Sequence, residues 1–580
     1  MKREIYNKLK EWQLSSNRKP LIMYGARQVG KTYIIKEFGN HEFENMVYIN
    51  CYKNKMMEKL FEGDANPDRL LIGLSAFAKQ DITPGKTLVF LDEIQEIPPV
   101  LSSLKYFCEN KPELHIIVAG SLLGVMNMKG ESFPVGKVDI MHLYPMTYEE
   151  YLLANDEKQL LDILQNGDKE LIDTFATRYI EYLRQYYFVG GMPEAVLQFT
   201  QHHNPVATRQ IQQNILAAYE ADISKHTAEQ TQRVRMVWES IPAQLAKENK
   251  KFIYGAVRKG ARAKDFEIAI QWLIDAGLVH KVERTRDVKV PLKFYADIDA
   301  FKLYLLDIGL LGALTQTPSD QILIGDNVFS EYKGAFTENF VLQQLKTLVN
   351  LPIYYYSKDN STQEVDFIAQ AGSKILPIEV KAEDNVKAKS LAAFITHDFA
   401  SYHLKGIRFS MLGFREQDWM ENVPLYAARA YVKDFGTKTH FFSKKKREKV
   451  RFRAILRKNI VILQSNQNIR SMKADLIIGR DKEKAELQRC IDSDRSELVI
   501  VYGRRRVGKT YLVDEFFGRK YDFTFVGGHN LPQRTQLRSF AKALKQAMGE
   551  TSARKLSDWF DAFDVLEEYL SSLPEDRKKM

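Results

Sequence analysis

The stretch MYGARQVGKT, residues 23–32, constrains the fold of this chain more than any other feature. It fits the pattern G-x-x-x-x-G-K-[ST], in which Gly25 and Gly30 let the backbone turn tightly and point N–H groups at phosphate oxygens. The apolar run at residues 20–24 predicts a buried strand, and residues 32–38 predict a helix whose N-terminus faces an anion. The sequence therefore predicts an α/β fold with a parallel sheet and a phosphate-binding loop.

The side chains that follow this loop suit the phosphates of a nucleotide. Lys31 would neutralise charge on the β- and γ-phosphates, and the hydroxyl of Thr32 would ligate Mg²⁺. A second element, TLVFLDE at residues 87–93, predicts a buried parallel strand with two carboxylates at its C-terminal end. Asp92 would hold Mg²⁺ through water, and Glu93 would orient or deprotonate the attacking water. Two acids that merely face solvent at a strand end are the alternative.

A third predicted strand, residues 115–119, ends in Gly120-Ser121. A small polar residue at this strand end could sense the γ-phosphate, so Ser121 joins Gly25, Gly30, Lys31 and Thr32 as a candidate nucleotide ligand. Taken alone, Gly-Ser after a strand is most often a turn.

Together these motifs resemble the AAA+ class of P-loop ATPases. The resemblance is close to one uncharacterised prokaryotic family, whose members carry a C-terminal domain of unknown function with a restriction-endonuclease-like fold. The stretches that carry it are LIMYGARQVGKT, TLVFLDEIQ, IIVAGSLL and LYPMTYEEYL. The resemblance implies an ATP hydrolase that uses ATP and Mg²⁺, with Lys31 and Glu93 as catalytic residues. It leaves open whether the chain forms a homo-oligomer, as AAA+ rings do.

This chain departs from the family pattern at one position. The family often has Gly-Arg shortly before LYPMTYEEYL, where this chain has Gly136-Lys137. Lys lacks the planar fork of Arg, which argues against Lys137 as a transition-state cation.

Residues 156–300 are predicted to form a helical lid followed by a winged-helix-like region. In YLRQYYFVGGMPEAV, residues 182–196, two glycines and a proline predict a break between helices, and this stretch also resembles the same family. Two amphipathic helices and two short strands then resemble a winged helix, at residues 233–245, 263–276, 278–285 and 292–295. Such a module often binds DNA, and basic residues lie near the start of its second helix, at Lys259, Arg262 and Lys264. Winged helices also serve as packing modules, which is the alternative.

Residues 301–435 are predicted to form an endonuclease-like α/β domain. Glu338 lies in a predicted helix, and three predicted strands follow, at residues 353–356, 364–368 and 375–381. Glu379 and Lys381 are two residues apart on the third strand, so their side chains lie on one face. If Asp366 ends the adjacent strand, two carboxylates and a lysine converge.

Metal-assisted phosphodiester cleavage needs such a group. Asp366 and Glu379 would bind Mg²⁺, the metal would activate water, and Lys381 would hold the water or the scissile phosphate. Glu338 could supply another carboxylate. The constellation resembles the PD-(D/E)xK nuclease pattern, although this spacing also occurs by chance. A fold can keep its carboxylates and serve only to bind, so nuclease activity is left open.

The net charge of +10 comes mostly from one segment. Residues 444–458, KKKREKVRFRAILRK, hold nine basic residues and one acidic residue, which is +8 of the +10. A solvated basic linker and a nucleic-acid contact both stay open. The three cysteines, Cys51, Cys108 and Cys490, have no metal-ligand or redox spacing. Since no apolar run could cross a bilayer and the N-terminus lacks a signal peptide, we predict a cytoplasmic protein without a membrane partner.

A second loop, VYGRRRVGKT at residues 501–510, occurs near the end of the sequence. Gly503, Gly508, Lys509 and Thr510 match the first loop and are predicted to bind phosphates. The region resembles the N-terminal part of a related prokaryotic P-loop ATPase family. No apolar strand ending in acids follows in the sequence, so we predict a partial second P-loop domain that lacks its Walker B strand and does not hydrolyse nucleotide. A truncated neighbouring gene joined to the first, and a site completed by another chain, are the two explanations.

The sequence thus predicts five regions. They are an AAA+ ATPase domain at 1–155, a helical lid and winged-helix-like region at 156–300, an endonuclease-like domain at 301–435, a basic linker or junction at 436–474, and a partial second P-loop domain at 475–580. The leading hypothesis is an ATPase that drives or switches a C-terminal domain which engages DNA. The alternative is a regulatory ATPase whose C-terminal domain is an inactive binding module. A decayed gene fusion is the third hypothesis.

Overall fold

A computed structural model of the 580-residue chain describes most of the first 436 residues and shorter stretches of the rest. The described residues are 1–120, 133–224, 228–247, 250–323, 333–359, 361–382, 388–436, 461–463, 480, 484–485, 487–489, 497–499, 509–517, 521–525, 533–550, 554 and 556–573. The chain forms two compact units, Met1–Lys445 and Lys446–Met580.

The first unit opens with a five-stranded parallel sheet. The elements are α1 (Ile5–Gln13), β1 (Leu21–Tyr24), α2 (Lys31–Glu42), β2 (Asn45–Asn50), α3 (Lys55–Glu62), α4 (Pro67–Ala78), β3 (Thr87–Asp92), a 3₁₀ turn (Ile94–Glu96), α5 (Pro99–Asn110), β4 (His115–Ala119) and β5 (Asp139–His142). The strand order is β2-β3-β4-β1-β5, with every pairing parallel, which fits the predicted P-loop fold. Since β4 separates β1 from β3, the loop after β1 and the acids at the end of β3 meet at one edge, across the end of β4.

Both faces of this sheet are buried, as continuous apolar strands require. On β3, Leu88 and Phe90 pack into one hydrophobic core, and Val89 and Leu91 pack into another. The second core is filled from α3, α4 and α5. Asp92 is the last residue of β3 and is buried as well. Alternate side chains of β3 are thus held in two cores, and this fixes the position of the Asp92 carboxylate at the end of the strand.

A layer of helices follows the sheet. It contains α6 (Tyr148–Ala154), α7 (Lys158–Asn166), α8 (Lys169–Thr174), α9 (Ala176–Val189), α10 (Pro193–His202), α11 (Pro205–Ile223), α12 (Ala228–Leu245), α13 (Tyr254–Val257) and α14 (Ala263–Asp275). The predicted break falls at the end of α9, where Gly190 has a φ of 72° and Pro193 begins the next helix. A Cβ on Gly191 would lie 2.2 Å from the carbonyl oxygen of Met146, so this break packs directly on the backbone before α6.

The rest of the first unit is built on an eight-stranded sheet. Its elements are β6 (Val279–Thr285), β7 (Ala296–Leu305), α15 (Ile308–Leu314), α16 (Ser319–Leu323), α17 (Lys333–Lys346), β8 (Ile353–Ser357), β9 (Glu364–Ala371), β10 (Lys374–Val380), α18 (Lys389–Ala393), β11 (Gly406–Ser410), β12 (Arg415–Glu416), β13 (Met420–Pro424) and α19 (Ala428–Gly436), with short 3₁₀ or π turns at Leu292–Tyr295, Phe394–Asp398, Ala400–Tyr402 and Leu425–Ala427. The strand order is β12-β13-β11-β10-β9-β8-β6-β7. Phe340 of α17 packs with Phe367 in one core, and Leu391 of α18 packs with Ile368 in another.

The hairpin of β6 and β7 corrects part of the predicted winged-helix-like region. The strand expected at residues 292–295 is wrong, because Leu292–Tyr295 form a 3₁₀ turn and the strand is Ala296–Leu305. Pro291 has no N–H for a strand ladder, and the next backbone N–H donates to Oε1 of Gln370 at 2.9 Å. β6 also pairs in parallel with β8, so the hairpin belongs to the C-terminal sheet. The boundary predicted after residue 300 falls inside β7.

The second unit is described in part. An antiparallel pair of strands, β14 (Val461–Leu463) and β15 (Glu497–Val499), is followed by α20 (Lys509–Phe516), α21 (Gln533–Met548) and α22 (Trp559–Ser572). Leu537, Phe540 and Leu566 belong to its hydrophobic core. The basic residues 444–458, Gly503, Gly508, and the side chains of Lys509 and Thr510 lie outside the described residues. Within the described ranges, no helix has the length and apolar character needed to cross a membrane.

Candidate functional site

Two glycines shape the loop between β1 and α2. A Cβ on Gly25 would lie 2.4 Å from the carbonyl oxygen of Leu143, so only glycine lets the chain turn against the end of β5. Gly30 has a φ of 94° and ends the loop directly before α2. The first N–H groups of a helix have no partner within it, and the positive end of the helix dipole lies at the same place. The loop therefore has the form that accepts an anion.

Lys31 lies back over this loop. It is buried, and its ammonium group donates to the carbonyl oxygens of Gly25 and Ala26, both at 2.8 Å. Burial lowers the pKa of Lys31 to about 8, although the nearby carboxylates of Glu93 and Asp92 act to raise it. The ammonium group thus has two neutral acceptors, which a phosphate oxygen could replace.

Asp92 connects the end of β3 to the start of α2. Its Oδ2 accepts a hydrogen bond from the Thr32 hydroxyl at 2.7 Å, and its Oδ1 accepts one from the backbone N–H of Glu93 at 3.0 Å. Burial raises the pKa of Asp92, and the hydrogen bond from Thr32 opposes that rise. A hydroxyl and a carboxylate in contact are suitable protein ligands for Mg²⁺, so the residues present fit this ion.

Glu93 has a left-handed backbone conformation, with a φ of 53°. This conformation costs a residue other than glycine about 1 kcal/mol and persists where the surroundings hold it. Here the side-chain amide of Gln95 donates to Oε2 of Glu93 and orients the carboxylate. Gln95 is not among the predicted site residues, because an amide just beyond a strand end gives no distinct sequence signal.

Two later helices contact the loop. Nη1 of Arg27 lies 3.0 Å from Oδ1 of Asp222 in α11, and the hydroxyl of Tyr219 donates to the Arg27 carbonyl oxygen at 2.9 Å. A Cβ on Gly30 would lie 3.4 Å from Cγ of Pro193, so the start of α10 also reaches the loop. A movement of these helices relative to the sheet would therefore change the surroundings of the loop.

The residues before α1 also hold the loop. Arg3 donates through Nη1 to the carbonyl oxygen of Val29 at 3.1 Å and through Nη2 to that of Tyr144 at 2.7 Å. Its Nε lies 3.2 Å from Oε2 of buried Glu150, in α6. The backbone N–H of Glu4 donates to the other oxygen of Glu150 at 2.7 Å. The start of the chain thus ties the loop to α6.

The same region contacts α19, the last helix that the structure describes in the first unit. Buried Arg429 of α19 pairs with Glu149 and Glu4, and Lys433 pairs with Glu4 at 2.7 Å. Burial acts to raise the pKa of Glu4, but Arg429 and Lys433 outweigh it and hold the pKa at about 2. We call six residues the charged junction: Arg3, Glu4, Glu149, Glu150, Arg429 and Lys433. Partners as far as 429 residues apart leave no local pattern, so sequence reasoning missed them.

A second group of titratable side chains lies on the eight-stranded sheet. Asp366 of β9 and Glu379 of β10 come together, since Oδ2 of Asp366 accepts the backbone N–H of Val380 at 2.7 Å. Nζ of Lys381 lies 2.6 Å from Oε1 of Glu379. Among the described residues, Oε2 of this buried Glu379 has no hydrogen-bond partner. The structure therefore brings together the three residues of the predicted constellation.

Glu338 of α17 contributes to this group with two lysines that sequence reasoning missed. Its Oε1 accepts from Nζ of Lys250, and its Oε2 accepts from the hydroxyl of Tyr304 at 3.0 Å. Lys302 of β7 is 0% exposed and donates to Oε1 of Glu364. The sequence signal that could have identified Lys302 is its position inside the apolar run AFKLYLL, residues 300–306. We call the whole set the buried carboxylate cluster: Glu338, Glu364, Asp366, Glu379, Lys250, Lys302 and Lys381.

Burial and neighbouring charges set the protonation of this cluster. Burial raises the pKa of Asp366 well above its ordinary value, and the charges of Glu338 and Glu379 raise it further. Burial likewise raises the pKa of Glu379. It acts in the same direction on Glu338, but Lys250 and Lys302 outweigh it and lower that pKa. The carboxylates of one cluster thus differ in proton affinity.

The cluster offers a small set of metal ligands. In the part of the chain that the structure describes, no group of three or more His, Cys, Asp or Glu side chains is arranged to hold a metal ion. Asp366 and the unpartnered Oε2 of Glu379 are two carboxylate donors. Mg²⁺ is usually bound through one or two carboxylates, with water in the remaining positions. These donors therefore fit a single hard cation.

The remaining predicted residues lie elsewhere. Ser121 is outside the described residues. Nζ of Lys137 lies 2.8 Å from Oε1 of Glu109 in an ion pair at the surface. Three basic residues around the start of α14 are exposed: Lys259, Arg262 and Lys264.

Comparison with known proteins places family models on three parts of the first unit. A model described as an AAA domain matches residues 17–152, one described as Domain of unknown function (DUF8612) matches residues 180–321, and one described as Domain of unknown function (DUF4143) matches residues 333–426. An uncharacterized ATP-binding protein of Methanocaldococcus jannaschii is 40% identical over 45 residues, which are 8% of this chain and 76% of that protein.

Two solved structures are similar in part. The Walker-type ATPase of Pyrococcus abyssi has a TM-score of 0.35 and 14% identity, and the similarity covers 54% of this chain and 95% of that one. A signal transduction ATPase with numerous domains and a tetratricopeptide repeat sensor, from Pyrococcus horikoshii, has a TM-score of 0.22 and 10% identity, over 59% of this chain and 45% of that one.

Proposed function

Because the chain belongs to the ATP-binding P-loop ATPases of the AAA type, we propose that its first 155 residues bind ATP with Mg²⁺ and hydrolyse it. The contact between Thr32 and Asp92 carries the proposal. It places a hydroxyl at the start of α2 against a carboxylate at the end of β3, beside an anion-binding loop. Hydrolysis of a Mg²⁺-bound nucleotide needs these groups in this arrangement.

The loop and α2 would hold the phosphates. Backbone N–H groups from Gly25 to Gly30 and at the start of α2 would surround them. Lys31 would exchange the carbonyl oxygens of Gly25 and Ala26 for phosphate oxygens. Because a phosphate is charged and a carbonyl is neutral, this exchange would favour the protonated lysine despite its burial.

Glu93 would act on the attacking water. Its carboxylate, oriented by Gln95, would accept the proton that the water loses. Mg²⁺ held by Thr32 and Asp92 would neutralise charge that develops on the phosphates. Ser121 follows β4, the strand between β1 and β3, and stays a proposed contact of the γ-phosphate.

Phosphate release from ATP by the full chain tests this proposal. Lys31→Ala should lose both binding and hydrolysis. Glu93→Gln should still bind ATP and hydrolyse it about 100-fold more slowly or worse, as expected for loss of a general base. Glu96→Gln changes an exposed acid three residues later and is the matched control. Hydrolysis by Glu93→Gln at the control rate would remove Glu93 from the mechanism.

We further propose that ATP turnover drives or switches the C-terminal sheet, and that this part of the chain engages DNA. The charged junction supports the coupling, since Arg3 contacts the loop and Glu4 contacts α19. The buried carboxylate cluster supports an endonuclease-like site. Asp366 and Glu379 would bind Mg²⁺, which activates water, and Lys381 would hold that water or the phosphate. An inactive binding module is the alternative.

Cleavage of DNA with Mg²⁺ or Mn²⁺, with and without ATP, separates the two. A nuclease should lose cleavage in Asp366→Asn and keep it in Asp418→Asn, which changes an exposed aspartate of the same part of the chain. Control by ATP should appear as loss of cleavage in Lys31→Ala. A chain that hydrolyses ATP but cuts none of a varied set of DNA and RNA substrates would support the binding module. Homo-oligomerisation stays a prediction, to be tested by the mass in solution with and without ATP.

A further inference from the structure

The ionic charges of the buried carboxylate cluster nearly cancel. Because carboxylates must lose their protons to bind a metal ion, the relevant state has every group ionised, and in it four carboxylates and three ammonium groups sum to −1. One divalent cation would bring the sum to +1, and a second would bring it to +3. Charges of one sign repel strongly where water has little access, so the second cation would be strongly disfavoured. By charge alone, the cluster has a place for one divalent cation.

Lys250 forms an ion pair with Glu338, the carboxylate that a second divalent cation would need as a ligand. Its Nζ contacts Oε1 of Glu338, and the Tyr304 hydroxyl takes the other oxygen at 3.0 Å. Glu338 therefore has both oxygens satisfied by the chain. Glu379 differs, because among the described residues its Oε2 has no partner. A metal ion could therefore bind Oε2 of Glu379, whereas both oxygens of Glu338 already accept hydrogen bonds.

The position of Lys250 is built into the fold. Its side chain is 13% exposed. Two residues later, the backbone N–H of Phe252 donates to the carbonyl oxygen of Phe301 at 2.7 Å, and the two rings stack with centroids 5.3 Å apart. The backbone N–H of Ile253 donates to Oε1 of Gln244 at 2.7 Å. These contacts anchor the segment that carries Lys250 to β7 and α12.

We propose that Lys250 is a built-in cation that takes, on Glu338, the position of a second divalent ion. The cluster then binds one divalent cation, through Asp366 and Glu379. This inference rests on the metal site of the proposed function and adds to it the stoichiometry and the residue that sets it. Lys302 supports the same arrangement from inside β7 by neutralising Glu364.

The number of Mn²⁺ ions bound by the nucleotide-free full chain tests the inference, with free Mn²⁺ counted by electron paramagnetic resonance. The wild type should bind one ion that Asp366→Asn loses. Lys250→Met should bind two ions at the cluster, and Lys250→Met combined with Glu338→Gln should bind one again. Lys259→Met removes an exposed lysine and should leave the count at one.

A second variant keeps the inference testable if Lys250→Met does not fold. Glu338→Gln alone should keep the single ion, because Lys250 rather than a metal neutralises Glu338; loss of the ion would overturn the inference. A folded Lys250→Met that still binds one ion would overturn it as well and leave the metal site intact. If no ion of the wild type depends on Asp366, the inference fails together with the metal site. The last two failures are therefore distinguishable.

Discussion

At the proposed nucleotide site, formed by Lys31, Thr32, Asp92 and Glu93, the cation that would bind Asp92 comes with the ligand, whereas in the buried carboxylate cluster lysines of the chain pair with the carboxylates. Asp92 accepts from neutral donors, the hydroxyls of Thr32 and Tyr48 and the backbone N–H of Glu93, and Lys31 faces two carbonyl oxygens. In the cluster, Lys302 contacts Glu364 directly. The pKa shifts follow this difference, because burial lowers the pKa of Lys31, while in Lys302 nearby carboxylates outweigh burial and raise it.

The comparison teaches that buried carboxylates alone do not define a metal site. At the first site, Asp92 and Lys31 contact neutral groups. A ligand such as Mg²⁺-bound nucleotide would bring both the cation and the anion that these two side chains can bind. The second site is already close to neutral. Its affinity for an added cation depends on which lysines stay in place, and a sequence motif of carboxylates does not show that.

Removing a lysine from the cluster should have the largest effect. Lys302→Met leaves Glu364 without its ion-pair partner and should lower the free energy of unfolding by about 3–5 kcal/mol, measured from urea unfolding of the full chain. Lys358→Met breaks a half-exposed pair with Asp398 and should lower the free energy of unfolding far less. Equal costs for the two variants would show that the cluster does not depend on its own cations.

Removing the carboxylate at the nucleotide site should affect catalysis instead. Asp92→Asn should slow ATP hydrolysis about 100-fold, since a bound metal contributes several kcal/mol to the transition state. Asp68→Asn, at a largely exposed aspartate paired with Lys111, is the control and should hydrolyse ATP normally. If the rate of Asp92→Asn were normal over a range of Mg²⁺ concentrations, the two sites would not differ in the way described.

The two lysines should respond differently to pH. The pKa of Lys31 is about 8 in the folded chain and returns to 10.5 on unfolding, so the unfolded chain binds more protons between these values. Without nucleotide, the free energy of unfolding should therefore increase as the pH rises from about 8 to 10.5. Lys31→Met should remove this increase. The raised pKa of Lys302 gives stability that is present below 10.5 and lost only above its folded pKa. Lys302→Met should therefore keep the rise. Urea midpoints at about pH 7.5, 8.5 and 9.5 measure these slopes.

The smallest effect is expected where the loop meets α11. Asp222→Asn keeps the shape of the side chain and leaves a half-exposed Arg27 that water can solvate. It should change the free energy of unfolding by less than about 1 kcal/mol. A change in the Kd for ATP of tenfold or more, measured by calorimetry, would instead show that this pair sets the conformation of the loop.

The arrangement of the proposed nucleotide site is predictable from the sequence because its parts are local. A glycine pattern, the strand before it and the helix after it are contiguous, and the apolar run that ends at Asp92 identifies the second strand. The contact between Thr32 and Asp92 then follows from parallel strand packing. Arg3 and Asp222 are not predictable in this way, since they reach the loop from distant segments.

The cluster is predictable only in part. The two-residue period of a strand places Glu379 and Lys381 together, but no local rule pairs Lys250 with Glu338. Lysine usually indicates solvent exposure, which hides a lysine that neutralises a buried acid. The strand expected at residues 292–295 fails for a related reason. Its apolar residues suit a strand, and the contact that settles their conformation is with Gln370, in another part of the sheet.

The contacts of Arg3 and Glu4 have a practical consequence for dividing this protein into fragments. A piece that begins at residue 17, where the AAA domain match begins, would lack both residues. Glu150 would then lose Arg3, and Arg429 would keep Glu149 alone. An unpaired buried charge costs about 3–5 kcal/mol, which is a large part of the stability of an ordinary domain. Expression trials should therefore keep the residues before α1, even though they lie outside the ranges that the three family models match.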